Sequence, residues 1–372
     1  MEGHADKLNA LNTLLDKHDI QSYRLTKDVT VKGYDYQKQR NASTSFSSDA
    51  LVVPTNQPKG KMAQVLLEPQ TKLNDSLTYD ITSWSLPYAF GLKAVATKST
   101  LEYSPYTIEK LSDLTLQEDM YGYALEYKSL EDGKFLSALL KEGLGVRYNQ
   151  VPITNSGKAW GRGSLFILKG DNQKKPNHLE KLAQLAAKFN RKLTPIETGY
   201  SSSGPDLGAA QLELIKSPRI ALLRSDNASS YNYGEIWHFF EQVLNYPLIQ
   251  LDSSRLTSAL EHIDQLIIPS GYYNKWNQTN ANDQALLDWI NKGGKIIALA
   301  GALDHFADTD PFKLQKKENE ELDTTEIPYG DRSRNEISLM TTGSVFEASL
   351  DQSHPLSFGL NRYHTLKLNE DA

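Results

Sequence analysis

Apolar positions fall into short regular blocks along this chain, and their spacing predicts alternating helices and strands. Leu8, Leu11, Leu14 and Leu15 recur at helical intervals, so residues 7–17 predict an amphipathic helix. A strand around Ile20–Leu25 follows, then a charged, turn-rich stretch to about Ser48. An apolar strand over 50–54, the loop TNQPKGK and a helix over 62–67 complete the block. A similar order returns at 135–189. There a helix over 135–142 carries Leu136, Leu139 and Leu140 on one face, and a strand spans 146–151. A Gly-rich turn over 155–163, an apolar strand over 164–168, the loop KGDNQKKPN and a helix over 178–189 come next.

LNTLLDK answers LSALLKE, and ALVVPTNQPKGK answers SLFILKGDNQKK. Two readings stand: an internal duplication, or two unrelated α/β layers whose Asn-Gln-Lys loops are solvated turns. Between the blocks, YDITSWSLPYAFGLKAVA (79–96) reads as a buried packing segment in which Pro87 interrupts any regular helix, and 107–119 reads as a linker.

Residues 218–303 carry the most regular pattern. PRIALL, PLIQLD, DQLIIPSG and GKIIALAG read as strands; GEIWHFFEQVL, RLTSALEHI and NDQALLDWINKG read as helices between them. Short all-apolar strands alternating with helices predict a parallel, doubly wound sheet covered on both faces. The fold class is therefore α/β, a parallel-sheet domain over 217–372 preceded by one or two smaller α/β units, 1–115 and 116–216. Ligands of such sheets bind outside the carboxyl ends of the strands, here the loops after Leu223, Pro269 and Leu299.

Composition narrows the partners. The 372 residues hold 46 acidic and 40 basic side chains and no basic block, which argues against a nucleic-acid partner. No apolar run reaches the ~18 residues of a membrane helix. The absence of cysteine removes disulfides, thiolate metal sites and a cysteine nucleophile, and fits an exported bacterial protein as well as a reducing compartment. The N-terminal segment lacks the features of a signal peptide, which leaves a cytosolic protein or one preceded by further sequence.

Candidate chemistry gathers in the edge loops. Ser225, Ser229, Ser230 and Ser270 are candidate nucleophiles; Asp226, Glu235 and the pair Asp304-His305 are candidate partners, as are His238 and His354. Capping and turn formation explain the serines as simply. Tyr231, Tyr233, Tyr272, Tyr273 and Trp276 read as exposed aromatics for a sugar or peptide, or as packing over the sheet edge. No phosphate-binding glycine motif follows a strand. His238 and Glu241 match a His-x-x-Glu zinc pair with His364 further on, but His238 lies in an amphipathic helix, so no metal site is assigned. The turn in GGKIIALAGALDHF (293–306) has the form of a nucleophile elbow with only alanine and glycine on it.

DALVVPTNQPKGKMAQVLLEPQTKLNDSLTYDITSWSLPYAFGL resembles the region after the catalytic domain of Bacteroidetes-type M14 zinc carboxypeptidase-like proteins. PDLGAAQLELIKSPRIALLRSDNASSYNYGEIWHFFEQ and SHPLSFGL resemble their flavodoxin-like, class I glutamine amidotransferase-like domain. The resemblance implies an exported protein with its zinc in an upstream peptidase domain of the same polypeptide, and no cofactor in this chain. It also implies that the 217–372 domain is a shortened form of the family's own. The expected function is a non-catalytic accessory region for packing, placement or peptide or glycan binding. The alternative is a stand-alone serine-type hydrolase using an edge-loop serine.

Overall fold

The structure, a computed structural model, describes residues 1–70, 85–108, 110, 115–273, 281–316, 327–332, 345–360 and 363–366. It forms two compact units, the described residues of 1–110, 127–129 and 322–372 in one and those of 111–126 and 130–321 in the other. The described residues from 327 on, read from sequence as part of a 217–372 domain, group with the first unit. No helix among the described residues is long and apolar enough to cross a membrane.

The first unit opens with α1 (Ala5–Lys17), capped by His4 and burying Leu8, Leu11 and Leu15. Those leucines pack with Ile20, Leu51, Ala63 and Leu92, so the apolar face of α1 is covered within its own unit. The helix ends where Asp19 takes a φ of 57° and the Ile20 N–H returns to the Leu15 carbonyl at 3.0 Å. Strands β1 (Tyr23–Leu25), β2 (Val29–Asp35), β3 (Arg40–Phe46) and β4 (Leu51–Val52) follow, then helices α2 (Gly60–Leu67) and α3 (Leu86–Ala89) and strands β5 (Val95–Ala96) and β6 (Tyr103–Pro105). Pairing is antiparallel in two sheets of order β4-β1-β6 and β3-β2-β5. The stretch expected to be turn-rich is thus the β2–β3 hairpin. Its second strand, RNASTSF, buries only Thr44 and Phe46 and gives no apolar period to read. Pro87 starts α3 rather than interrupting a helix. Residues 79–84 of the expected buried segment lie outside the described residues.

The second unit begins with β7 (Gly122–Leu125), α4 (Leu130–Lys141), β8 (Arg147–Asn149), the hairpin β9 (Ile153–Asn155) and β10 (Lys158–Trp160), and β11 (Leu165–Leu168). Helices α5 (Lys169–Asn172) and α6 (His178–Lys188) and strands β12 (Thr194–Ile196) and β13 (Leu212–Leu214) complete an antiparallel sheet of order β12-β7-β11-β8-β13. The connectivity repeats that of the first segment. In both, a helix leads to a strand, a hairpin, a strand antiparallel to the first, and a helix; a later strand pairs with the other side of the first. The sheets differ in extent, because the second has β7 and β12 beyond β11. Met1 alone meets the corresponding side of β4, exchanging N–H and C=O with Leu51 at 2.7 Å each. The helix ends align Leu15 with Leu139, since the Leu144 N–H returns to Leu139 after Gly143 at φ 69°. That is one residue away from the alignment of LNTLLDK with LSALLKE. The KGDNQKKPN loop is not a solvated turn: it opens with α5, and Asn172 is wholly buried.

The unit continues with β14 (Ile220–Arg224), α7 (Ser230–His238), β15 (Ile249–Asp252), α8 (Leu256–Ala259), β16 (Gln265–Ile268), α9 (Ala281–Asn291) and β17 (Lys295–Ala298). These strands form a parallel four-stranded sheet of order β15-β14-β16-β17. Alternate residues of β14 serve opposite faces: Ala221 and Leu223 pack with Leu251, Leu266 and Trp289, while Ile220 and Leu222 pack with Ile236, Tyr246 and Leu248. The central strands are buried as expected. The outer two are not, with Ile249 43% and Ile297 42% exposed. The helix expected over 255–263 divides into 3-10 and α turns, and α7 passes into a π-helical turn at Phe239–Val243. A hairpin of β18 (Val345–Ala348) and β19 (Tyr363–Leu366) belongs to the first unit.

Candidate functional site at the carboxyl edge of the parallel sheet

From β14 the chain crosses to β15 on one side and then returns to β16 on the other, so the connections diverge between β14 and β16. Open parallel sheets bind ligands at this switch point. The loops that border it hold the serines singled out from sequence, and the hydroxyls of Ser225, Ser229 and Ser270 bond to backbone. Ser225 Oγ accepts the Asn227 N–H at 3.2 Å, and Ser229 Oγ caps α7 by accepting the Asn232 N–H at 3.4 Å. Ser230 is the exposed first residue of α7.

Ser270 is the knot of the edge. Its carbonyl accepts the Ser229 N–H at 2.7 Å, its own N–H donates to Asn232 Oδ1 at 2.7 Å, and its hydroxyl accepts the Gly301 N–H at 3.3 Å. Next to it Gly271 pairs with Ala228, and a Cβ there would lie 2.3 Å from the Asn227 carbonyl oxygen, so only glycine fits. The loops after β14, β16 and β17 are thereby stapled together. Asn232 was missed from sequence because the helix was expected to start at Gly234, which left it in a loop.

After β17 the chain turns sharply. Ala300 adopts a φ of 46° and begins the 3-10 helix Ala300–His305. An alanine in the left-handed region is uncommon, and a strained residue on a strand-to-helix turn is the backbone of a nucleophile elbow. The side chain at this exposed position is a methyl group. Asp304 pairs with Lys316 at 3.1 Å, and the carboxylate facing His305 is Asp283 of α9 at 3.3 Å. Asp283 too had no signal in the sequence, since nothing marks which helix residue faces the turn.

The aromatics divide. Tyr231 and Tyr272 are 87% and 84% exposed. Tyr273, expected to be exposed with them, is buried; its hydroxyl donates to the Pro269 carbonyl at 2.7 Å, and burial pushes the phenol up to about 12. Tyr233 is half-buried and reaches Gln250 at 3.2 Å. Trp276 lies outside the described residues. Asp226 is exposed, and Glu235 accepts from Asn232 Nδ2 at 3.3 Å. Arg224 pairs with Asp252 at 3.1 Å; hydrogen bonds from Ser254, together with that guanidinium, hold the Asp252 carboxyl down at about 2.

Glu241 accepts the Leu248 N–H at 3.0 Å and so closes the turn into β15, while His238 is exposed at the end of α7. The side chain of His364, on β19, lies outside the described residues.

No protein-family model matches the chain, no curated protein matches it, and no solved structure matches it.

Proposed function

We propose that this chain is a non-catalytic accessory region of an exported M14 zinc carboxypeptidase-like protein, in which a flavodoxin-like, amidotransferase-like sheet has kept its elbow and lost its nucleophile. The observation that carries the reading is Ala300, a methyl group on a left-handed strand-to-helix turn. The strand order β15-β14-β16-β17, second-first-third-fourth along this sheet, agrees with the first four strands of the flavodoxin-like order. The resemblance of the flanking sequence supplies the peptidase context, with zinc held upstream and this chain serving packing, placement or binding. Ser270 supports the same reading, because its hydroxyl receives the Gly301 N–H, the amide that follows the elbow residue and would face an oxyanion.

The test is hydrolysis by the purified chain. No turnover of glutamine or of p-nitrophenyl acetate above the buffer rate is expected. The His305–Asp283 pair favours the serine-hydrolase reading as the alternative. Ester hydrolysis abolished by both Ser270→Ala and His305→Ala would establish that alternative and end the accessory one.

A further inference from the structure

We propose that Tyr231 and Tyr272 form a stacking platform for a neutral oligosaccharide at the carboxyl edge of the parallel sheet. The inference rests on the reading of this edge as a binding surface rather than a catalytic one. Both rings stand 87% and 84% exposed, although tyrosine ordinarily covers much of its ring. Both also stand on backbone that is already fixed. The Tyr272 N–H donates to the Asn227 carbonyl at 3.0 Å, directly after the Gly271–Ala228 pairing. Tyr231 lies on the first turn of α7, whose cap Ser229 is bonded to Ser270. Buried Tyr273 anchors the loop from below through Pro269. Rings whose own backbone is pinned before binding lose little conformational freedom when a ligand arrives.

The surroundings select the ligand class. An apolar protein partner would need an apolar core around its aromatic anchors, and the exposed residues flanking Tyr231 in the chain are polar: Asp226, Ser230 and Glu235. A polycation would meet Arg224, which is exposed two residues from Asp226. A polyanion would meet the carboxylates themselves. A neutral pyranose chain matches both features: its C–H faces lie on aromatic rings, and its hydroxyls donate to the carboxylates at the rim.

The experiment titrates the full chain by calorimetry with cellohexaose, xylohexaose, chitohexaose and maltohexaose. Binding of at least one is expected, with Tyr231→Ala and Tyr272→Ala each weakening it about tenfold or more while Tyr272→Phe retains it. Tyr329, 88% exposed in the other unit, is the control, and Tyr329→Ala should bind as the unaltered chain does. All of these positions are at the surface, so thermal melting should be unchanged. No binding of any of the four sugars at millimolar concentration overturns the proposal, as does binding indifferent to both alanine changes. Capture of a lysine-rich peptide through the same tyrosines, with no sugar bound, also overturns it. A null titration leaves the empty elbow as it stands, whereas serine-dependent ester hydrolysis would end the accessory reading while the titration still decides the platform.

Discussion

In the first α/β segment the chain leaves α1 through a left-handed Asp19, and Gln57 then clamps Gln21, two residues before β1. Gln57 accepts the Gln21 N–H at 2.7 Å and donates to the Gln21 carbonyl at 3.0 Å and the Pro54 carbonyl at 2.6 Å. In the second segment the chain leaves α4 through Gly143, and Asn172 does the same work. It accepts the Gly145 N–H at 2.7 Å and donates to the Gly145 and Leu168 carbonyls, each at 2.9 Å. An amide side chain from the loop after the second paired strand thus satisfies both backbone groups of one residue in each case. What differs is the surroundings. Gln57 is partly exposed and Asn172 is fully buried. Leu8 of α1, seven residues before Leu15, corresponds to Asp132 of α4, seven before Leu139; Leu8 packs in an apolar cluster, whereas Asp132 holds Arg191 at 2.7 Å. One path can be closed by apolar packing or by buried polar pairs, and the costs of disruption should differ accordingly.

The largest contrast is at that helix position. The side chains of Arg191 and Asp132 are only 7% and 2% exposed. Asp132→Ala leaves a guanidinium buried without its carboxylate and should destabilise the second unit by about 3–5 kcal/mol, measured by urea denaturation of the full chain. The double change Asp132→Leu with Arg191→Met imitates the first segment and should recover most of that loss. A double variant no more stable than Asp132→Ala would break the equivalence of the two helix positions.

The clamps come next. Removing Asn172 strands the Gly145 N–H and two carbonyls away from water, so Asn172→Ala should cost about 3 kcal/mol, at the upper end for unmade buried hydrogen bonds. Gln57→Ala opens the same groups where water can replace the amide, and about 1 kcal/mol is expected. Equal losses in parallel denaturation curves would show that burial does not set the difference. Hydrogen exchange at the Gly145 and Gln21 amides sharpens the comparison, since each should lose protection only in its own variant.

Much of this path is legible in the sequence where apolar residues repeat. The leucines of α1, the apolar run of β11 and the strands of the parallel sheet stand out because each buries one face or both. The β2–β3 hairpin does not stand out, because β3 is polar at most positions and is held by pairing with β2. The ion pair of Asp132 is illegible for another reason: its partner is 59 residues away, and no local pattern links them. At the candidate site the loops were placed by the carboxyl ends of apolar strands, and the Ala300 turn by its small residues. The roles of Asn232 and Asp283, and the burial of Tyr273, depend on which way helix and loop residues face, which periodicity in an irregular segment does not encode.

The last contrast, and the only one that depends on pH, separates the hairpins. Asp35 ends the first strand of one hairpin and Asn155 ends the first strand of the other. Burial of Asp35 disfavours its charge, but Thr44 at 2.5 Å, the Lys38 backbone N–H at 3.0 Å and the Lys38 ammonium at 3.2 Å outweigh it and hold the carboxyl down at about 2. A carboxyl depressed by folding adds stability that is fully present above its unfolded value near 3.8 and is lost as pH falls from there through about 2. Asn155 has no such proton; its amide donates to the Thr198 carbonyl at 3.0 Å and the Tyr200 carbonyl at 2.8 Å at any pH. Asp35→Asn should therefore cost about 2 kcal/mol at pH 7, since each tenfold gain in acidity on folding contributes roughly 1.4 kcal/mol. That deficit should shrink steadily between pH 4 and pH 2, as the native carboxylate loses its own advantage. Melting temperatures of the two proteins measured side by side across that range test the sign directly. A gap that stays constant with pH would mean that Asp35 acts through shape alone, and the two hairpins would then not differ in how acid opens them.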